Sequence, residues 1–295
     1  MRVTDQTMRR DMISHVQSGY RAIMDAQMRL SSGLRIQKAS DDPNAATQVL
    51  QLHSALRALD QHQRNIGSGL SRLSAEEDAL DQLTQALTRA KSIGIAQGTD
   101  TANADTRALA KVEIDNLMTF AKGLGNTRFL DGYLFGGNRS DVEPFSSDVP
   151  PFYSTANPPV GDHRVEVASG QLVATNHNGT EVFLDTGVFQ SLSDLSAALG
   201  SNDTGAIRAA LGALDTSFSN VQRVLGEVGS RSNQLETMKG SLDSLELNLQ
   251  TARTELEDAD STEAVVEVMG HQTTVQAALL TMQQLLSLSL TSYLR

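Results

Sequence analysis

The sequence predicts a mainly α protein. Its N- and C-terminal halves form an elongated antiparallel coiled coil or helix bundle, with a small inserted β domain. Three observations lead there. Apolar residues recur at alternating steps of three and four along two long stretches, one in each half. Five of the six prolines fall between those stretches, within Pro144–Pro159. Aromatics are only 4% of 295 residues and Trp is absent, so Leu, Ala, Val and Met must bury most of the apolar area, as in helix bundles.

Residues 5–32 read as helix. Met12, Val16, Gly19, Ile23, Ala26 and Leu30 form its seam, with Gly and Ala where Leu is expected. A helix so weakly seamed is marginal alone in water and needs partners. Ser31-Ser32-Gly33 stops it, Gly33 taking the left-handed conformation that a helix C-terminus favours. Asp41-Asp42-Pro43 opens the next helix, with Asp42 as N-cap and Pro43 at the first helical position, where a missing N–H costs nothing.

From Pro43 the seam runs Val49, Leu52, Leu56, Leu59, Gln63, Ile66, Leu70, Leu73, Glu77, Leu80, and continues through Leu83, Leu87 and Ala90 to Gly94 and Gly98. Residues 43–93 would span roughly 75 Å at 1.5 Å per residue. Asp105–Lys122 predicts a shorter helix burying Leu109, Val112, Leu117 and Phe120. Phe129–Leu134 reads as a hairpin, Asp131-Gly132 favouring a type I′ turn. Beyond Gly136, the segments His163–Ala168, Gln171–Thr175 and Glu181–Asp185 read as strands of an inserted β domain.

Helix returns after Asp194. Its seam is Ile207, Leu211, Leu214, Phe218, Val221, Leu225, Val228, then Met238, Leu242, Leu245, Leu249, Ala252, Leu256. Asp260 with Glu263 starts the last helix in the manner of a capping box. Its seam is Val265, Val268, Gln272, Val275, Leu279, Met282, Leu286. Leu280, Leu285, Leu288 and Leu290 widen the apolar side beyond what one partner helix can cover, so part of it must meet other molecules. Val16, Ile23, Leu30, Val265, Val268, Val275, Leu279, Met282 and Leu286 are therefore the expected assembly interface, and Gly33, Asp41, Asp42 and Pro43 the expected helix corner. The boundaries that follow are 1–40 and 260–295 for an inner coiled-coil domain, 41–136 and 194–259 for a helical rod domain with the hairpin, and 137–193 for the outer β domain.

Charge agrees with pairing of the two ends. Residues 1–72 carry ten Lys/Arg against six Asp/Glu, and residues 227–267 three against ten. The overall charge of −11 disfavours nucleic acid, which wants a basic face. No stretch predicts a membrane span. The N-terminus lacks the apolar core of a Sec-type signal, which leaves a cytosolic chain or export by another route. Cysteine is absent, excluding disulfides and thiolate metal sites. His15, His53, His62, His163, His177 and His271 show no ligand spacing. Glu76-Glu77-Asp78 and Glu255-Leu256-Glu257-Asp258 read as solvated faces. No catalytic constellation, cofactor motif or metal site is expected, and the chain is not expected to be an enzyme.

Arg29–Val49, RLSSGLRIQKASDDPNAATQV, resembles the N-terminal signature of bacterial flagellins. The pattern extends over the first 135 and last 95 residues. The MRVT opening, the Asp-Asp-Pro, the YLFGGN…EPF passage at Tyr133–Phe145, the short length and the LSLSLTSYLR end look more like the hook–filament junction branch of that superfamily than like filament flagellins. The resemblance implies an inner coiled core of terminal helices, a next shell of long helices and an outward insertion. It implies self-assembly into a ring or short tube between a hook-side junction protein and flagellin. It further implies secretion through the flagellar type III export apparatus, with an export chaperone for the C-terminal part. Two alternatives stay open: a minor flagellin that builds filament, or a secreted binding or adhesion module carried by the insertion.

Overall fold

The computed structural model describes residues 2–100, 102–147 and 149–293, without the side chains of residues 2–6, 8, 9 and 285–293. It contains two compact units, Met1–Ala58 with Ser244–Arg295, and Leu59–Asp243. The elements in order are α1 (Arg2–Ser32), α2 (Pro43–Gln97), α3 (Ala104–Gly125), β1 (Arg128–Phe129), β2 (Gly132–Tyr133), β3 (Arg164–Ala168), β4 (Gln171–Ala174), a π-helical turn (Thr180–Leu184), α4 (Val188–Gly200), α5 (Thr204–Glu257) and α6 (Ser261–Tyr293). The fold is mainly α, with two small antiparallel hairpins.

In the unit Leu59–Asp243, α2 and α5 run antiparallel. Gln63 donates to Asp243 at 2.8 Å, Lys91 pairs with Asp215 at 2.6 Å, and Arg208 Nε donates to the Gly98 carbonyl at 3.3 Å. The predicted seams are the buried lines: Leu59, Ile66, Leu73, Leu80 and Leu87 on α2, and Ile207, Leu214, Val221 and Val228 on α5. Each such aliphatic side chain contributes about 1.5–3 kcal/mol on full burial. Gly94 does not end α2. It lies inside the helix, where a Cβ would stand 2.6 Å from Leu211 Cδ2, so the glycine admits a neighbour.

Of the four residues predicted to be buried on the third helix, only Leu117 packs against the core, half-buried. Leu109, Val112 and Phe120 are exposed, while Ala110, Ile114, Ala121 and Leu124 are buried. Both faces are apolar, and close packing of α3 on α4 selects the face with two small alanines. Asn103 caps α3 by accepting from the Thr106 N–H at 2.8 Å.

The first hairpin forms, but its turn is Leu130-Asp131, with Gly132 paired to Phe129. Of the two turn residues only Leu130 has positive φ, so the turn is not type I′. The strands at Arg164–Ala168 and Gln171–Ala174 form as predicted. The third does not: Thr180–Leu184 is a π-helical turn, and α4 begins at Val188, before Asp194. The reason is aromatic packing. Phe135, Phe145, Phe152, Phe183 and Phe189 sit with ring centroids 4.9–5.4 Å apart, and the helical turn carries Phe183 inward. A Cβ at residue 125 would stand 2.5 Å from Phe145 Cδ2, so Gly125 at the end of α3 makes room for that cluster.

Glu76 corrects another expectation. It is fully buried, whereas Glu77 and Asp78 are exposed. Its Oε1 lies 2.7 Å from His177 Nδ1, and both carboxylate oxygens accept from the His177 N–H at 3.2 Å. Arg231 donates to the adjacent Asn176 carbonyl at 2.8 Å. The segment after β4 is thus held by buried polar contacts to α2 and α5.

Candidate assembly interface

The unit Met1–Ala58 with Ser244–Arg295 brings the two ends of the chain together. Here α1 packs along α6. Met12, Val16, Gly19, Ile23 and Ala26 are buried or half-buried on α1, as are Ala264, Val268, His271, Val275, Ala278 and Met282 on α6. The lines meet at Gly19, where a Cβ would stand 2.5 Å from Val275 Cγ2. The residue that looked like a defect in the seam is the one that permits the contact. Arg29 Nη1 lies 3.3 Å from Glu267 Oε2, both about 40% exposed, so this link between the oppositely charged ends contributes little.

The expected interface residues divide. Val16, Ile23, Val268, Val275 and Met282 lie in the buried or half-buried lines. Leu30, Val265 and Leu279 are 40–42% exposed in the single chain. The side chain of Leu286 lies outside the described residues. Around the exposed set stand Ile13, Tyr20, Met24, Met28, Val266, Met269 and Leu280, all exposed. The seam on α6 therefore runs through Ala264, His271 and Ala278, one residue before the Val265, Gln272 and Leu279 expected from spacing. Val265 and Leu279 remain outside the pair.

The corner is built as its residue types require. Gly33 has φ +72° and donates its N–H to the Arg29 carbonyl at 2.9 Å. Asp42 Oδ1 accepts from the Ala45 N–H at 3.0 Å, directly ahead of Pro43. Asp41 does a separate job. Its Oδ2 accepts from the N–H groups of Lys38 at 3.0 Å and Gln37 at 3.1 Å, and these bonds hold its carboxyl below the usual carboxylate range.

A second corner, Glu257–Asp260, meets the first. The Arg35 N–H donates to the Glu257 carbonyl at 2.7 Å, and the Ala259 N–H to the Gly33 carbonyl at 2.8 Å. Leu34 and Asp258 form an antiparallel bridge between them. Arg35 Nη2 reaches the Leu256 carbonyl at 2.7 Å. Asp260 caps α6 by accepting from Thr262 at 2.7 Å and Glu263 at 3.3 Å, and those N–H groups lower its pKa. Sequence reasoning missed Arg35 and Ala259 because their bonds are to backbone more than 200 residues away. No group of residues able to hold a metal occurs among the described residues, and no described helix is long and apolar enough to cross a membrane.

Two terminal helices locked at mated corners, each running into a helix of more than fifty residues around an inserted middle, define a class of helical protein closed by its own ends. The description "Bacterial flagellin N-terminal helical region" matches residues 3–140, and "Bacterial flagellin C-terminal helical region" matches residues 211–294. The chain belongs to the bacterial flagellin family. Flagellar hook-associated protein 3 of Escherichia coli (strain K12) is 25% identical over 304 residues, spanning 94% of this chain and 95% of that protein. Flagellin FlaB1 of Treponema pallidum (strain Nichols) is 24% identical over 252 residues, spanning 84% and 83%. The crystal structure of Bacillus cereus FlgL shares the fold, with TM-score 0.60 and 24% identity over 69% of this chain and 99% of that one.

Proposed function

We propose that this protein is a structural subunit of the bacterial flagellum, placed at the junction of hook and filament, with no catalytic role. The observation that carries the assembly reading is the apolar face left uncovered on α1 and α6, from Ile13 to Met28 and from Val265 to Leu280. Monomeric proteins rarely leave so many large apolar side chains together in water, and further copies would bury them. The junction reading is favoured by the near full-length match to the hook-associated protein. In this proposal the domain boundaries are those expected from the sequence, with the insertion 137–193 holding one β hairpin, the π-helical turn and the start of α4. The subunits close into a ring or short tube between a hook-side junction protein and flagellin. The chain reaches that place by the flagellar type III export apparatus, its C-terminal part held beforehand by an export chaperone.

The second reading, a minor flagellin, is favoured by the match to the Treponema flagellin. A null mutant separates the two. The junction reading expects hooks to persist while filaments are missing, and purified protein not to grow long filaments alone. Filaments of normal number in the null mutant would overturn it.

A further inference from the structure

The unit Leu59–Asp243 holds a cavity of about 220 Å³ that plays no part in pairing the chain ends. Ser68 and Arg72 of α2, Asp131 of the first hairpin turn, and Ser140, His163 and Thr175 line it. Its walls close where the side chains of Thr175 and Ser140 pack against glycines. A Cβ at residue 69 would stand 2.7 Å from Thr175 Cγ2, and one at residue 132 would stand 2.9 Å from Ser140 Cβ.

Arg72 is the unusual member of the lining. Its Nη2 donates to the Leu134 carbonyl at 2.6 Å, and its guanidinium carbon lies 6.0 Å from the Phe129 ring centre. Its Nε is buried and has no hydrogen-bond partner among the described residues. Glu76, one turn further along α2, directs its carboxylate to His177 instead. Burial pulls the Arg72 pKa down against the opposing pull of the Glu76 charge, which makes no ion pair with it, and burial together with the Arg72 charge pulls His163 below the usual imidazole range. A desolvated guanidinium without a paired carboxylate is costly, and an ionised acceptor satisfies it better than a neutral one. The serine hydroxyls and the imidazole add donors around the same space. Asp131 is the one acidic residue in the lining, and it sits exposed on the hairpin turn.

We propose that this cavity binds a small oxyanion of sulfate or phosphate size, with Arg72 as its charged anchor and Ser68, Ser140 and His163 as further donors.

The test uses the full chain, with sulfate as probe and chloride at matched ionic strength as control. NMR follows the His163 ring. A bound anion favours imidazolium, so sulfate raises the apparent His163 pKa and saturates, while chloride does neither. Arg72→Met abolishes the response. Because Arg72 also bonds the Leu134 carbonyl and its loss could unfold the region, Ser140→Asp is the second variant. It places a carboxylate in the cavity from an exposed position and weakens sulfate binding at least tenfold, with an unchanged circular dichroism spectrum. A response that does not saturate, that chloride reproduces, or that survives in folded Ser140→Asp overturns the proposal.

Discussion

Val275 of α6 occupies the space that a side chain on residue 19 of α1 would need: its Cγ2 lies 2.5 Å from that Cβ position. Replacing a helical glycine by alanine ordinarily stabilises by about 1 kcal/mol. Overpacking a close contact costs about 1–3 kcal/mol. Gly19→Ala is therefore expected to lower the stability of the α1–α6 pair, and the double variant Gly19→Ala with Val275→Ala to recover much of it. Thermal melts followed by circular dichroism read both. A more stable Gly19→Ala single variant would show that the helices do not meet there.

Leu279 lies outside the buried line of the pair and is 42% exposed. Leu279→Asp is expected to leave the monomer within about 0.5 kcal/mol of wild type, as surface changes usually do. Its effect falls on assembly, where an unpaired carboxylate would be buried. Sedimentation of the monomer and a motility assay distinguish the two effects. A swimming strain carrying this variant would remove Leu279 from the interface.

The corners carry two carboxylates whose folded pKa is depressed, Asp41 and Asp260. For such groups the stabilisation is present above the unfolded value, about 3.9, and is lost as pH falls through the lower folded value. Amide exchange at Lys38 and Thr262 is expected to remain slow down to that value and to accelerate below it, after correction for intrinsic rates. Asp41→Asn is expected to abolish the step at Lys38 while leaving the one at Thr262.

Glu76 and His177 form a buried pair, their side chains 1% and 3% exposed. Removing Glu76 leaves the buried His177 N–H and Nδ1 without their hydrogen-bond partner, which typically costs about 1–3 kcal/mol for each such group. Glu76→Ala is expected to shift the urea midpoint of the whole protein accordingly. A change under about 1 kcal/mol would place the pair at an ordinary surface value.

The long seams were legible because large aliphatic residues mark them without competition: Leu59, Ile66, Leu73 and Leu80 needed only their spacing. The helix caps Asp42 and Asp260 were equally plain, since their bonds reach residues two or three positions away. Three features were hidden for different reasons. Leu109 and Ala110 compete for the inside of α3, and packing against α4 decides for the smaller residue. Glu76 rather than Glu77 goes inside because His177, 101 positions along the chain, meets it. Phe183 lies in a stretch whose apolar pattern suits a strand, and the aromatic cluster pulls it into a helical turn. Each outcome depends on a partner distant in sequence.

The bonds between Gly33 and Ala259 and between Arg35 and Glu257 tie the corner that follows α1 to the corner that precedes α6, a segment synthesised more than 200 residues later. The α1 helix cannot complete its packing until α6 has been delivered. Whatever process hands this molecule over in linear order, α1 and its corner are an open clasp until α6 and its corner arrive.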